Sequence, residues 1–289
     1  MNTELAIQND LGMSLAEAIG VANMGGETKS VSLPRVNLTH NGIMGSIEVN
    51  GKSVKTEVVP LGAYKITLSE DNVVYSVRPN IRIFAVRQQW SKWNSNEEIM
   101  MKTVMSTDLK GDLKDNMGTF NLGRPSGYIQ DWDSVDDKTK DLIRTIKRKK
   151  IVFGMLTAND CTDEEGNPAD AITDPIPFVF EVSPSSTKAL DTAINTLKRK
   201  NILPIQYTFI LGADEGKLPN GNSYAIMTLE GGDLVDLTSE DQDNLKNFME
   251  YIEYQNSYIL QQWDEKNQET ISGEDADVVA EFVNVEEAD

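Results

Sequence analysis

Between Tyr75 and Trp93 the chain alternates bases with rings: Tyr75, Arg78, Arg82, Phe84, Arg87, Trp90, Lys92 and Trp93 follow one another in a strand-like run. A single nucleic-acid strand needs this combination. Cations neutralise phosphates, and flat rings give exposed bases a stacking surface worth about 1–3 kcal/mol each. The ordinary alternative is a core strand with solvated arginines. In a strand, residues two apart share a face, so Arg78, Arg82 and Phe84 are expected on one side and Arg87 and Trp93 on the other. Downstream, Gly123-Arg124-Pro125-Ser126-Gly127-Tyr128 offers a cation, a ring and a flexible backbone that can close over such a strand. It lacks the Gly-Lys-Ser/Thr ending of a Walker loop. Lys147, Arg148, Lys149 and Lys150 then stand in a row. Placed at a helix C-terminus, they would also complement the helix dipole.

Other chemistry has little material. The chain holds one histidine, His40, and one cysteine, Cys161. No disulfide within the chain and no Cys₄ or Cys₂His₂ zinc site can form. A Ser-His-Asp or Cys-His mechanism would have to use His40, which sits in a turn-like Thr-His-Asn-Gly stretch and reads as an exposed turn residue. Cys161 lies beside Thr-Asp-Glu-Glu, where acids raise a thiol pKa, and reads as inert. Asp160, Asp163, Glu164 and Glu165 have the chemistry to hold a cation, but their Gly166-Asn-Pro context reads as a solvated turn. No acidic cluster has calcium-loop spacing. We expect no catalytic residue, no metal and no cofactor.

Charge is unevenly placed. Lys plus Arg total 27 against 46 Asp plus Glu, a net −19, which argues against a simple basic coat for duplex DNA or an anionic membrane. Residues 78–153 nevertheless hold fifteen bases against ten acids, a net +5, so the rest of the chain carries −24. Lys198-Arg199-Lys200 add a smaller basic cluster. The first twenty residues carry Glu4, Asp10 and Glu17 and no base, unlike a signal peptide. No apolar run reaches the roughly 18 residues of a membrane span. A soluble, cytoplasmic protein is expected.

The elements that must position these residues are mostly strands. At 289 residues the chain is one large domain or two small ones, and 39% hydrophobic residues suffice for a core. Residues 1–30 read as a weakly helical appendage ending at Gly25-Gly26. Residues 31–38, 43–49 and 54–59 are short, alternating and β-branched, with Asn41-Gly42 and Asn50-Gly51 as tight-turn signals between them. Residues 64–68 and 73–90 continue as strands, broken at Pro79, and residues 99–105 form another. Residues 108–133 read as a long loop, functional or mobile. A helix capped by Ser134 is expected to about Lys147, then strands over 150–157 and 178–182 around an acidic loop. A helix over 187–200 precedes a strand pair, 205–211 and 223–229. The clearest helix is 237–267, with Ser239 and Gln242 as a capping-box pair and an apolar face of Leu245, Phe248, Met249, Ile252, Ile259, Leu260 and Trp263. Residues 268–289 hold eight acids and no base and read as a disordered tail.

A basic, aromatic-bearing β domain, a helix and an acidic tail (Gly273 to Asp289) resemble phage and bacterial single-stranded DNA-binding proteins. Residues 177–186, the helix after them and Gly221-Asn-Ser-Tyr224 look like the strand–helix–hairpin end of phage versions. The resemblance implies a mainly β fold with inserted helices, in the α+β class. Residues 31–236 would form an elaborated OB-like barrel, with insertions around 108–149. It implies a non-enzymatic protein that coats single-stranded DNA with little sequence preference during phage replication or recombination. By this resemblance Tyr75, Arg78, Arg82, Phe84, Arg87, Trp90, Lys92, Trp93, Arg124, Tyr128, Lys147, Arg148 and Lys149 contact the strand. Replication or recombination proteins engage the tail through Asp275, Asp277, Glu281, Phe282, Glu286 and Glu287. Family tails usually end on phenylalanine, whereas this chain ends Ala288-Asp289, leaving Phe282 as the apolar anchor. A virion or assembly protein and a metal-dependent nuclease are the alternatives.

Overall fold

The computed structural model describes residues 32–49, 52–95, 97–126 and 129–283, so the expected N-terminal appendage lies outside the described residues. The described chain is mainly β with inserted helices, an α+β arrangement. Its strands are β1 (Arg35–Leu38), β2 (Ile43–Val49), β3 (Lys52–Val59), β4 (Tyr64–Thr67), β5 (Val73–Ser76), β6 (Asn80–Asn94), β7 (Ile99–Lys102), β8 (Lys147–Ala158), β9 (Ile172–Val182), β10 (Tyr207–Lys217) and β11 (Ser223–Leu234). Its helices are α1 (Asp137–Thr145), α2 (Thr187–Arg199) and α3 (Ser239–Val283). The described chain divides into two compact units, one of residues 32–85 and 152–248, the other of residues 86–151 and 249–283. The continuous elements β6, β8 and α3 each pass from one unit to the other.

The first unit is built on a sheet of order β11-β10-β6-β8-β9-β1-β4-β5. β1 runs antiparallel to β4 and parallel to β9. The order is open: among the described residues no pairing joins β11 to β5, so the closed barrel implied by the resemblance is absent from the described ladders. Asn41-Gly42 does not join a hairpin either, because β1 pairs with β4 and β9 while β2 pairs with β3 in a separate ribbon. That ribbon pairs antiparallel from Ile43↔Val59 to Val49↔Lys52, and the Asn50-Gly51 turn signal lies outside the described residues. In β6, Ile81, Ile83 and Ala85 are buried at strand alternation, and β8 is buried without a break from Val152 to Gly154. Gly154 has a steric reason: a Cβ there would lie 1.9 Å from the Arg82 carbonyl oxygen. Phe153, Leu156, Phe178, Leu190, Leu211 and Met227 complete the core.

α3 begins with a capping box, one residue earlier than the sequence reading has it. The Thr238 amide donates to Asp241 at 3.0 Å and the Asp241 amide donates back to the Thr238 hydroxyl at 3.2 Å. Thr and Asp form the box as well as Ser and Gln, and Asp241 wins because it also meets Arg82.

The second unit carries the far end of β6, paired antiparallel with β7 through Ser91↔Lys102, Lys92↔Met101, Trp93↔Met100 and Asn94↔Ile99. The expected long loop is largely ordered around one carboxylate. Asp115, fully buried, accepts from the amides of Met117, Thr119 and Leu122 and from the Thr119 hydroxyl. α1 starts later than expected, because Asp136 rather than Ser134 caps it, accepting from the Thr139 amide at 2.9 Å. It also ends earlier, at Thr145, so Lys147–Lys150 lie on strand β8 and not on a helix C-terminus. Asn256 of α3 pairs with both backbone groups of Met105, Trp263 Nε1 donates to the Thr119 carbonyl, and Asn267 donates to the Gly118 carbonyl. The stretch expected to be a disordered tail from residue 268 is helical to Val283. Glu, Gln and Ala are good helix formers, no proline interrupts the segment, and α3 needs only to continue its own ladder.

Candidate nucleic-acid interface

In the first unit, the rings and cations expected to meet a strand are tied into the fold. Tyr75 is 3% exposed and packs with Val59 and Ala63, so its ring faces are unavailable for stacking. Phe84 meets Phe248 edge-on at 5.6 Å between centroids. Arg78 makes a two-bond ion pair with Glu230, 3.2 and 2.5 Å, at the surface. Arg82 is held by both oxygens of Asp241 and by the Ile205 carbonyl. Their alternation is right for a strand, but each cation already has its anion within the unit.

The acidic loop of the same unit is a set of turns. Asp160 accepts from the Ser76 hydroxyl and from the amides of Val77 and Arg78, which shapes the break before β6. Asp163 accepts from the amide and side chain of Asn167, with Gly166 at φ 84°, a left-handed position. Those Asn167 bonds hold the Asp163 carboxyl below its usual value. Among the described residues no group of His, Cys, Asp or Glu is placed to hold a metal ion. Cys161 is buried, and burial, reinforced by the Asp160 charge, pushes its thiol up and away from the reactive thiolate.

The second unit keeps a different set. Trp90 is fixed by its backbone: its amide donates to the Thr103 hydroxyl at 3.1 Å, and its carbonyl accepts from the Thr103 amide at 3.1 Å. The Arg124 guanidinium lies 4.5 Å from the centre of the Trp90 ring. Arg124 is placed by the short turn before it, where its amide donates to the Asn121 carbonyl and Gly123 adopts φ 82°. Burial against the ring draws its pKa below the ordinary arginine value. Lys92 is two residues beyond Trp90 on the same face of β6, half-buried and without a carboxylate partner among the described residues. Trp93 falls on the opposite face, 53% exposed, beside its cross-strand neighbour Met100.

The remaining expected residues divide similarly. Arg87 donates to the Val86 carbonyl and toward the Met249 sulfur, a local packing role. Lys147 and Arg148 are exposed on β8, with Lys147 Nζ donating to the Arg144 carbonyl. Lys149 is half-buried and Lys150 is 7% exposed. Tyr128, Glu286 and Glu287 lie outside the described residues, while Asp275, Asp277, Glu281 and Phe282 belong to the helical backbone of α3. One cluster was missed by the sequence reading: Lys114 Nζ sits 3.8 Å above the Trp263 ring, with Phe120 on Trp263 at 5.7 Å. Its partners come from a loop and a helix far apart in sequence, and no local pattern signals their meeting.

The arrangement therefore joins Trp90, Lys92 and Arg124 on one face, leaves Trp93 on the other, and adds exposed bases on β8. Such a set neutralises phosphates and supports flat ligands. It holds no nucleophile paired with a base. Compared with protein families, curated proteins and solved structures, this chain matches none. No helix among the described residues is long and apolar enough to cross a membrane.

Proposed function

We propose that this protein is a non-enzymatic single-stranded DNA-binding protein that coats strands exposed in phage replication or recombination. The elaborated OB-like barrel of such proteins belongs to the same proposal. The carrying observation is Arg124 on Trp90 with Lys92 on the same face, within one unit. Trp93 supplies a second ring, and Lys147 and Arg148 supply phosphate contacts. A gel shift with oligo-dT against a duplex of equal length tests this. Binding to the single strand well above the duplex, without cleavage in magnesium, is expected. Trp93→Ala should weaken it about tenfold, the loss of one stacked base. Equal binding to duplex, or none to either, overturns the reading, and cleavage would favour the nuclease.

The acidic end enters this reading as a regulator and partner site. Residues 268–289 carry eight acids, and on the same chain they meet the basic face at high effective concentration. Because residues 268–283 are helical, the competitor is a helical acidic segment, with Phe282 as anchor for a replication or recombination partner. Deleting residues 268–289 should tighten oligo-dT binding severalfold at low salt, and the gain should shrink as salt screens the attraction. Unchanged affinity at every salt concentration would remove the tail from the mechanism.

A further inference from the structure

We propose that the base-stacking surface of this site is the guanidinium plane of Arg124, and that Trp90 acts beneath it as the platform that holds the plane in place. The inference rests on the single-strand reading above and names the ligand of the site as a nucleobase with its adjoining phosphate. At 4.5 Å from the ring centre the guanidinium occupies one face of Trp90, so a base cannot reach that face while the contact stands. Yet the contact leaves most of the group's hydrogen-bonding capacity unused. Among the described residues Arg124 makes one side-chain hydrogen bond, from Nη1 to the Pro125 carbonyl at 3.1 Å, and no ion pair. A guanidinium has five donors in a planar fork.

That combination separates Arg124 from the other arginines whose contacts are described. Arg78 and Arg82 point their forks at carboxylates, and Arg144 pairs with Asp141. Arg124 instead has a ring against its guanidinium and, among the described residues, donors with no protein acceptor beyond the Pro125 carbonyl. Flat bases stack on arginine planes as they do on aromatic rings, and the same plane edge can grip a phosphate oxygen. The platform is stiff, because Thr103, fully buried, binds both the amide and the carbonyl of Trp90. The residue over it is positioned by a left-handed glycine and a turn anchored on Asp115. A lysine in place of Arg124 would keep the charge and lose the plane.

The test is oligo-dT affinity as a function of salt for the native chain and for Arg124→Lys, Arg124→Ala, Trp90→Phe and Trp90→Ala, with folding checked by circular dichroism. Arg124→Lys should bind about tenfold more weakly than the native chain, close to Arg124→Ala, while keeping the native salt slope. Arg124→Ala should lose about 0.7 of a unit of slope, the share of one phosphate contact. Trp90→Phe, which preserves a ring beneath the plane, should remain within about threefold of native; Trp90→Ala, if folded, should match Arg124→Ala. Native affinity in Arg124→Lys shows that charge alone acts and overturns the inference, as does native affinity in Arg124→Ala. A native chain that ignores oligo-dT overturns the single-strand reading itself, a separate result.

Discussion

Replacing Asp241 with alanine is expected to destabilise the first unit by about 3–5 kcal/mol, the usual loss when one partner of a buried pair is removed. Against the roughly 5–15 kcal/mol that holds a domain folded, this is a large share. Asp241 takes two bonds from Arg82, at 2.9 and 3.0 Å, and the pair is largely shielded, with side-chain exposures of 19% for Arg82 and 6% for Asp241. Removing the carboxylate strands a guanidinium whose other described bonds go to the Ile205 carbonyl. It also removes the acceptor for the Thr238 amide, and with it half of the capping box. Exchanging both partners together, Arg82→Met with Asp241→Leu, should lose less than Asp241→Ala alone, because no charge is then left without its counterpart. Urea unfolding of the native chain and the two variants checks this, and a native midpoint for Asp241→Ala would refute it.

The same pair sets a pH dependence. Burial alone would raise the Asp241 carboxyl, but the bonds from Arg82 and Thr238 more than offset it and hold the group below its ordinary value. A depressed acid stabilises the fold fully above its unfolded pKa, about 3.9, and loses that contribution as pH falls through the folded value. The native chain should therefore lose stability below about pH 4 more steeply than Asp241→Ala.

What was legible in the sequence follows the range of the forces. Strand alternation is local, so the β-rich class, the break at Pro79 and the helices at Thr187 and Ser239 stand close to where the periodicity places them. Pairing partners are not local. Nothing around Asn41-Gly42 shows that β1 leaves its neighbour for β4 and β9. The run from Tyr75 to Trp93 shows why a motif of rings and bases divides when folded. Tyr75 follows its hydrophobicity into the core and Phe84 packs on Phe248, while Arg78 and Arg82 find carboxylates more than 150 positions away. The far end of the same run keeps its chemistry, because Lys92 faces no carboxylate among the described residues and Trp93 ends a two-stranded arm too narrow to bury it. The loop cation Arg124 was visible from Gly123 and Pro125, but its seat on Trp90 required the fold. The tail misleads for a related reason: acidity without bases reads as disorder, yet a preceding helix supplies the nucleus that an isolated segment would lack.

Salt should control the proposed binding more strongly than any single side chain. Four exposed or half-exposed cations of the second unit, Lys92, Arg124, Lys147 and Arg148, are available to phosphates. If each releases the counterions of one phosphate, the slope of log affinity against log salt for a single strand is about −3. Raising salt from about 50 to 200 mM should then weaken oligo-dT binding about fiftyfold. An acidic protein can on the same basis still select single strands. A duplex carries one charge per roughly 1.7 Å of axis, about twice the density per strand, so a chain of net −19 repels it more at every approach. Four cations on one unit suffice for a flexible strand that can bend to meet them and stack its bases on the Arg124 guanidinium and the exposed Trp93 ring. Reversing one of these charges, Arg148→Glu, should flatten the slope and weaken binding at low salt, with little change at high salt. A native slope near zero would mean that no phosphates are neutralised, and the basic face would then have some other partner.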